Sequence, residues 1–323
     1  MSLRASGCYS AQDMPGALHA SPLLLLVVLP RPVLASDAVA GAVLALGLVV
    51  LALRGRWLRA PALDKLILFG PLFYAVPIAA FGTEHFMLTR IIASIVPAWI
   101  PWHIFWAYFV GACLIAAALS LVTGIQTRLA ASLLALLFFL FVVLMDAPAW
   151  THQPTNRFAT ALMLRELAFS GGPLGLAVSL TPQNQRGARI LGIIARCFVA
   201  IPILYYSVEQ FLHADHAPGI PLELVPPAWI HGHVLVTYLT AAVYAVAGPL
   251  LLIGWKPRAA ATAIGAIVLF GIVAVYLPLG IVERASLDLG VNYPMDTLMF
   301  CGTVLMLAAA MPRSAAVAGN TAA

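Results

Sequence analysis

Charge is scarce in this chain. Asp, Glu, Lys and Arg make up 9% of its 323 residues, against 63% hydrophobic residues. Soluble domains carry about 25% charged residues, so too little polar surface is present to cover a water-soluble globule. A mean hydropathy of +0.99 agrees. A cytosolic enzyme, a disordered chain and a nucleic-acid binder are excluded on that ground. Cysteine is nearly absent: Cys8, Cys113, Cys197 and Cys301 form no CxxC pair and no metal-ligand spacing. The last three are single residues within apolar runs, so no exposed dithiol serves a thiol–disulfide relay, and buried structural cysteine is the better reading. Also missing are a dinucleotide fingerprint, a P-loop, GxSxG and HExxH. No histidine pair inside an apolar run suggests haem ligation. The chain shows no redox centre of its own.

What is present is apolar length. Runs of about 20 residues cross the hydrocarbon core of a bilayer, and nine are predicted, at 37–53, 66–82, 104–122, 129–145, 158–179, 190–207, 234–253, 259–279 and 292–311. The expected fold is an all-α polytopic membrane bundle. Alternate connections carry Arg54, Arg56, Arg59, Lys65, Arg128, Arg186, Arg189, Lys256 and Arg258, with Arg313 after the last run; the other connections carry Arg90, Arg157 and Arg284. The excess of Lys and Arg marks the cytoplasmic side, which predicts a multi-pass protein of the cell inner (plasma) membrane with its C-terminus in the cytoplasm. Residues 22–29 have the length of a signal-peptide core and precede Val33-Leu34-Ala35, where cleavage would free Ser36. An uncleaved re-entrant segment is the alternative.

The chain repeats itself. Pro97-Ala98-Trp99-Ile100 recurs as Pro227-Ala228-Trp229-Ile230, and at the same offset of 130 His103 meets His233, Tyr108 meets Tyr238, Gly124 meets Gly254 and Arg128 meets Arg258. Over 96–131 there are 13 identities in 36 ungapped positions. Glu84 aligns with Glu209 at offset 125, and Glu166 with Asp296 at 130. The expected organisation is a leader over 1–35, a leading span over 36–63 and two four-helix units over 64–180 and 189–312. An even number of spans per unit makes the repeats parallel, about an axis along the membrane normal.

Phe81-Gly82-Thr83-Glu84-His85-Phe86, Val96-Pro97-Ala98-Trp99-Ile100-Pro101-Trp102-His103 and Phe105-Trp106-Ala107-Tyr108-Phe109-Val110-Gly111 together resemble the DoxX family of four-helix membrane proteins. The resemblance is clearest over 73–145 and fainter over 199–280, where Glu209-Gln210-Phe211 lacks the His and His231 replaces the second Pro. It implies a four-helix unit. It also implies service as a membrane subunit that delivers electrons from thiosulfate to quinone, or as part of another membrane oxidoreductase complex.

Polar residues sort to one side. His85, His103, His152, His213, His216, His231 and His233 lie toward the outer face, as do Glu84, Asp146, Glu209, Asp215, Glu223, Glu283 and Asp288, whereas Asp64 is cytoplasmic. Glu166 and Asp296 lie within spans, where a carboxyl normally faces a bundle interior with a partner. With quinone as the expected cofactor, Glu84, His85, Glu166, Glu209 and Asp296 are the candidates for moving protons. The alternative is that Glu166 pairs with Arg157 or Arg165 and that Asp296 caps a helix. His103 and His233 would orient a headgroup. Trp99, Trp229, Tyr108 and Tyr238 would border a lateral pocket roofed by the repeated Pro-Ala-Trp-Ile, unless they simply form the interfacial aromatic belt. His213, His216, His231 and His233 are weak metal candidates beside the better reading of no metal. Expected partners are the lipid bilayer and an electron-donating protein, with a homo-oligomer left open and no nucleic acid. A transporter or lipid-handling protein with a coupled carboxyl pair, and a non-catalytic scaffold, are the alternatives; the first requires Glu166 and Asp296 to face each other across the repeat boundary.

Overall fold

The computed structural model describes residues 29–182, 186–219 and 224–312, and all regular structure among them is helical. Among the described residues nine helices are long and apolar enough to cross a membrane: α1 Arg31–Arg54, α2 Ala62–Met87, α3 His103–Thr123, α4 Thr127–His152, α5 Arg157–Ser179, α6 Arg186–Leu212, α7 His233–Ile253, α8 Pro257–Val282 and α9 Leu287–Ala310. Each coincides with one predicted run and extends it with polar ends. Residues 1–28 of the expected leader, Glu223 and Arg313 lie outside the described residues. The Val33-Leu34-Ala35 segment falls inside α1, where Val33 and Ser36 are buried.

The repeat in sequence is a repeat in backbone. The helices α3 and α7 both end in a left-handed glycine, Gly124 (φ 75°) and Gly254 (φ 77°), the conformation that a Cβ disfavours. Two residues later Gln126 and Lys256 also have positive φ and start α4 and α8. The third helix of each unit, α4 or α8, then widens into a π turn at the same place, Val142–Asp146 and Ile272–Tyr276. Each is followed by a proline, Pro148 or Pro278, which cannot donate the i→i−4 bond and crowds the carbonyl four residues back. Tyr108 on Phe86 and Tyr238 on Phe211 form matching tilted ring pairs.

The packing exchanges partners. Within each unit the helices follow one another, α2 on α3 and α4 on α5, then α6 on α7 and α8 on α9. The fourth helix of each unit, however, packs on the first helix of the other: α9 on α2 and α5 on α6. The two fourth helices, α5 and α9, also pack on each other at the centre. Glycine lets them approach. A Cβ at Gly172 would fall 2.7 Å from Thr303 Cα of α9, and Gly302 of α9 likewise leaves room for α2, whose Tyr74 N a Cβ there would strike.

Among the described residues one spanning helix, α1, stands outside the two units, and it packs mainly on the first. The leading helix α1 lies on α2 and α3, with Gly47 directly against Leu72. At its end Arg54 Nη2 donates to Thr123 O at 2.6 Å, tying down the last turn of α3. Beside the equivalent turn of the second unit stands Arg196, from that unit's own first helix, against Gly254. One further tie joins the units at this basic end: Arg258 Nη2 meets Asp64 Oδ1 at 2.6 Å, and Arg258 Nη1 donates to Ala308 O.

The entry to α5 is capped by Asn156, whose side-chain oxygen accepts from Phe158 N and Ala159 N. Replacing such a cap by Ala costs about 1 kcal/mol. Asn156→Ala is therefore expected to lower the unfolding free energy by about that much, and Asn156→Asp to retain most of it, as read by thermal unfolding in detergent.

Candidate functional site: a charge cluster between the units

The centre of the bundle is not wholly apolar. The helix α5 enters from the histidine-bearing end, and Arg165 and Glu166 stand eight and nine residues along it, roughly 12–14 Å deep at 1.5 Å per residue. From α9, packed alongside, Asp296 projects toward them. Arg165 Nη1 lies 2.6 Å from Asp296 Oδ2, and Arg165 Nη2 lies 3.0 Å from Glu166 Oε1. The side chains are 22%, 13% and 14% exposed for Arg165, Asp296 and Glu166. One guanidinium thus bridges the repeat-related carboxyls across the unit boundary. Arg165 and Glu166 are adjacent and leave the helix about 100° apart, but the arginine is long enough to reach its neighbour and the facing helix together. Its Cζ also sits 5.9 Å from the centroid of Phe169.

Two further carboxyls lie around this bridge. Asp146, at the end of the first π turn, is within Coulombic reach of Arg165 and Glu166. Glu84 on α2 is within reach of Asp296 and Asp288. Glu84 Oε1, Asp146 Oδ2, Glu166 Oε2 and Arg165 Nε are buried with no hydrogen-bonding partner among the described residues. Three carboxyls around one guanidinium, with Glu84 beyond Asp296, are costly to keep all charged in a low-dielectric bundle, and intramembrane groups of this kind are suited to exchanging protons. Three tyrosines close the surroundings, with Tyr74 OH on Phe169 O, Tyr206 OH on Ala161 O and Tyr276 OH on Pro218 O.

The predicted set divides. Glu166, Asp296 and Glu84 come together; Glu209 does not join them, since Arg157 Nε holds its Oε2 at 2.6 Å. Glu166 pairs with Arg165 and not with Arg157, and Asp296 bonds Arg165 and caps nothing. The His85 ring lies on the helix backbone, Nδ1 to Phe81 O at 2.7 Å. In the sequence Arg165 stands out only as a neutralising neighbour of Glu166, and Asp146 only as one of several outer carboxyls. An arginine beside a glutamate within a span was itself the signal for the first, and Pro148 with its repeat Pro278 was the signal for the second.

A separate groove opens at the histidine-bearing end. The short helix Thr89–Ile95 lies across the start of α3, and between them Arg90, Ala93, Ser94, Trp102, His103, Ile104 and Phe105 line a space of about 740 Å³. The interfacial helix precedes the Pro-Ala-Trp-Ile block: residues 97–100 and their repeat 227–230 form turns, not the roof of a pocket, because the prolines interrupt the helix there. The groove includes His103 but none of the five proton candidates. His233 instead turns its Nδ1 to Ile230 O at 2.9 Å. Trp99, Trp229, Tyr108 and Tyr238 are all exposed on the sides of the bundle, where an interfacial aromatic belt places such residues. No protein-family model, curated protein or solved structure matches the chain.

Proposed function

We propose that the chain is a DoxX-like integral membrane subunit that binds a quinone or quinol headgroup in the groove and serves a quinone-linked oxidoreductase system. The groove carries this reading. Its walls are aromatic and aliphatic, as a ring with an isoprenoid tail requires, and Arg90 and His103 supply the few polar groups that fix orientation. Electrons come from a donor protein. By the bias of Lys and Arg the groove faces outward from the inner (plasma) membrane and the C-terminus lies in the cytoplasm. In this reading the headgroup sits beside Arg90 and His103, and the carboxyl cluster around Arg165 is a proton store deeper in the bundle.

The test is the quinone content of detergent-purified protein. Near-stoichiometric quinone is expected, lost on Arg90→Ala with His103→Ala and kept on Glu166→Gln with Asp296→Asn. Trace quinone in the unaltered protein would overturn the reading.

A second reading is favoured by one observation, the meeting of Glu166 and Asp296 through Arg165 across the unit boundary. That geometry suits a proton-coupled transporter or lipid-handling protein in which the guanidinium shifts between the two carboxyls as they take up and release protons. Proton movement in proteoliposomes that stops on Glu166→Gln with Asp296→Asn, in protein free of quinone, selects this reading. A scaffold without chemistry tolerates both double substitutions.

A further inference from the structure

Beyond the last turn of α6 the chain forms a short loop that neither functional reading uses. His213, Asp215 and His216 each offer a ligand atom there, and these atoms all lie within 4.8 Å of one another. Among the described residues no other group of three His, Cys, Asp or Glu is so placed. We propose that His213, Asp215 and His216 form a binding site for a divalent transition-metal ion of the zinc and copper class.

The geometry is close to that of a bound set. His216 Nδ1 and Asp215 Oδ1 are 3.1 Å apart. Two ligands on a tetrahedral zinc, each about 2.0–2.1 Å from the ion, are separated by about 3.3 Å. The His213 and His216 rings stand 5.8 Å apart at a steep angle, so a small ring rotation brings a nitrogen of His213 to the same centre. Two imidazoles and one carboxylate are ligands that zinc and copper accept and that magnesium and calcium do not prefer.

The loop is also held in place before any ion arrives. His213 N bonds Glu209 O and His216 N bonds His213 O, closing the turn. Thr237 Oγ1 from α7 donates to His216 O, Gln210 Nε2 from α6 donates to Gly219 O, and Tyr276 OH from the π turn of α8 donates to Pro218 O. Ala217 is fully buried beneath. Three helices thus fix the backbone that carries the ligands, which lowers the ordering cost of binding. With three protein ligands the fourth position is open to solvent or to an incoming group, the pattern of a reactive or exchangeable site and not of a closed structural one. Glu209 Oε2 lies 4.0 Å from His213 Nε2 while it is held by Arg157, which links the loop to the end of α5. His231 and His233 stand outside the group. The first unit has no such site, because the positions aligned with these residues at offset 125 are Leu88, Arg90 and Ile91.

The experiment is titration of chelator-stripped full-length protein in detergent with Zn²⁺ by calorimetry, and with Co²⁺ by visible absorption as an independent readout of nitrogen and oxygen ligation. One ion per chain is expected. Asp215→Asn should weaken binding by about tenfold or more, and His213→Ala with His216→Ala should abolish the saturable component. His231→Ala with His233→Ala should leave it unchanged. The absence of saturable binding in the unaltered chain, binding that survives the His213 and His216 double variant, or binding that depends on His231 and His233 would each overturn the site. Asp215→Asn alters one exposed side chain and keeps the test decisive if the double variant is poorly folded.

Discussion

Arg165→Ala is expected to lower the stability of the bundle by about 3–5 kcal/mol, the loss typical of a buried ion pair deprived of one partner. The substitution removes the cation that meets both Asp296 and Glu166, at 2.6 and 3.0 Å, and strands two carboxyls between α5 and α9. Among the described residues no other Lys or Arg forms an ion pair with either, and Arg157 is held by Glu209. The cost lies mainly in the uncompensated groups left behind and less in the pair itself. Replacing the whole set by neutral residues of similar shape should therefore be far milder. Arg165→Met combined with Glu166→Gln and Asp296→Asn is expected to recover most of the loss, because a buried pair often only breaks even against an apolar substitute. Unfolding midpoints in detergent decide the matter. A loss below about 1 kcal/mol for Arg165→Ala would show that water reaches the cluster and screens it as it does a surface pair.

A second large effect is expected from Gly302→Ala. A Cβ built at this position falls 2.4 Å from Tyr74 N, 2.7 Å from Phe73 C and 2.9 Å from Gly70 O. All three are backbone atoms of α2, so no side chain can rotate away and the helices must separate. Overpacking of this kind costs about 1–3 kcal/mol, and the larger Gly302→Leu is expected to prevent assembly. The control is Gly41→Ala on α1, where nothing lies within 4 Å of the new methyl group. There the gain in helix propensity of up to about 1 kcal/mol should appear undiminished. If both Ala variants unfolded alike, the close approach of α9 to α2 would be wrong.

Much of this architecture was legible in the sequence, for a physical reason. A span must satisfy its backbone bonds internally and present apolar side chains over some 20 residues, so each of the nine helices leaves a continuous trace. The helix ends were less visible because they are polar: α6 begins at Arg186 and α4 runs on to His152, beyond the apolar stretch of each. The duplication was readable in residues whose backbone role tolerates little change, such as Gly124 and Gly254 at positive φ. What could not be read was which helix faces which. Arg165 and Asp296 are 131 residues apart, and Arg157 and Glu209 are 52 apart. Both pairings depend on how α5 is rotated between α6 and α9. A carboxyl in a span announces that a partner exists without naming it. The metal candidates show the same limit. His231 and His233 looked as suitable as His213 and His216 until His233 became the first residue of α7 with its ring on Ile230 O.

The exchange of closing helices also sets a timetable for assembly. The first helix to need α9 is α2, and about 200 residues of chain separate them. At a synthesis rate of about 5–20 residues per second, α2 is made roughly 10–40 seconds before the helix that covers its glycine-facing side. The first four-helix unit therefore stands incomplete in the bilayer for that interval, its seam against α9 bathed in lipid, while the second unit is still on the ribosome. Through those seconds α1, already laid against α2 and α3, is the first helix outside the four to support this unit, in place before α6 reaches α5. The leading span then works as a holding clamp for an unfinished half. The second unit needs none, because α5 is in the membrane before α6 emerges.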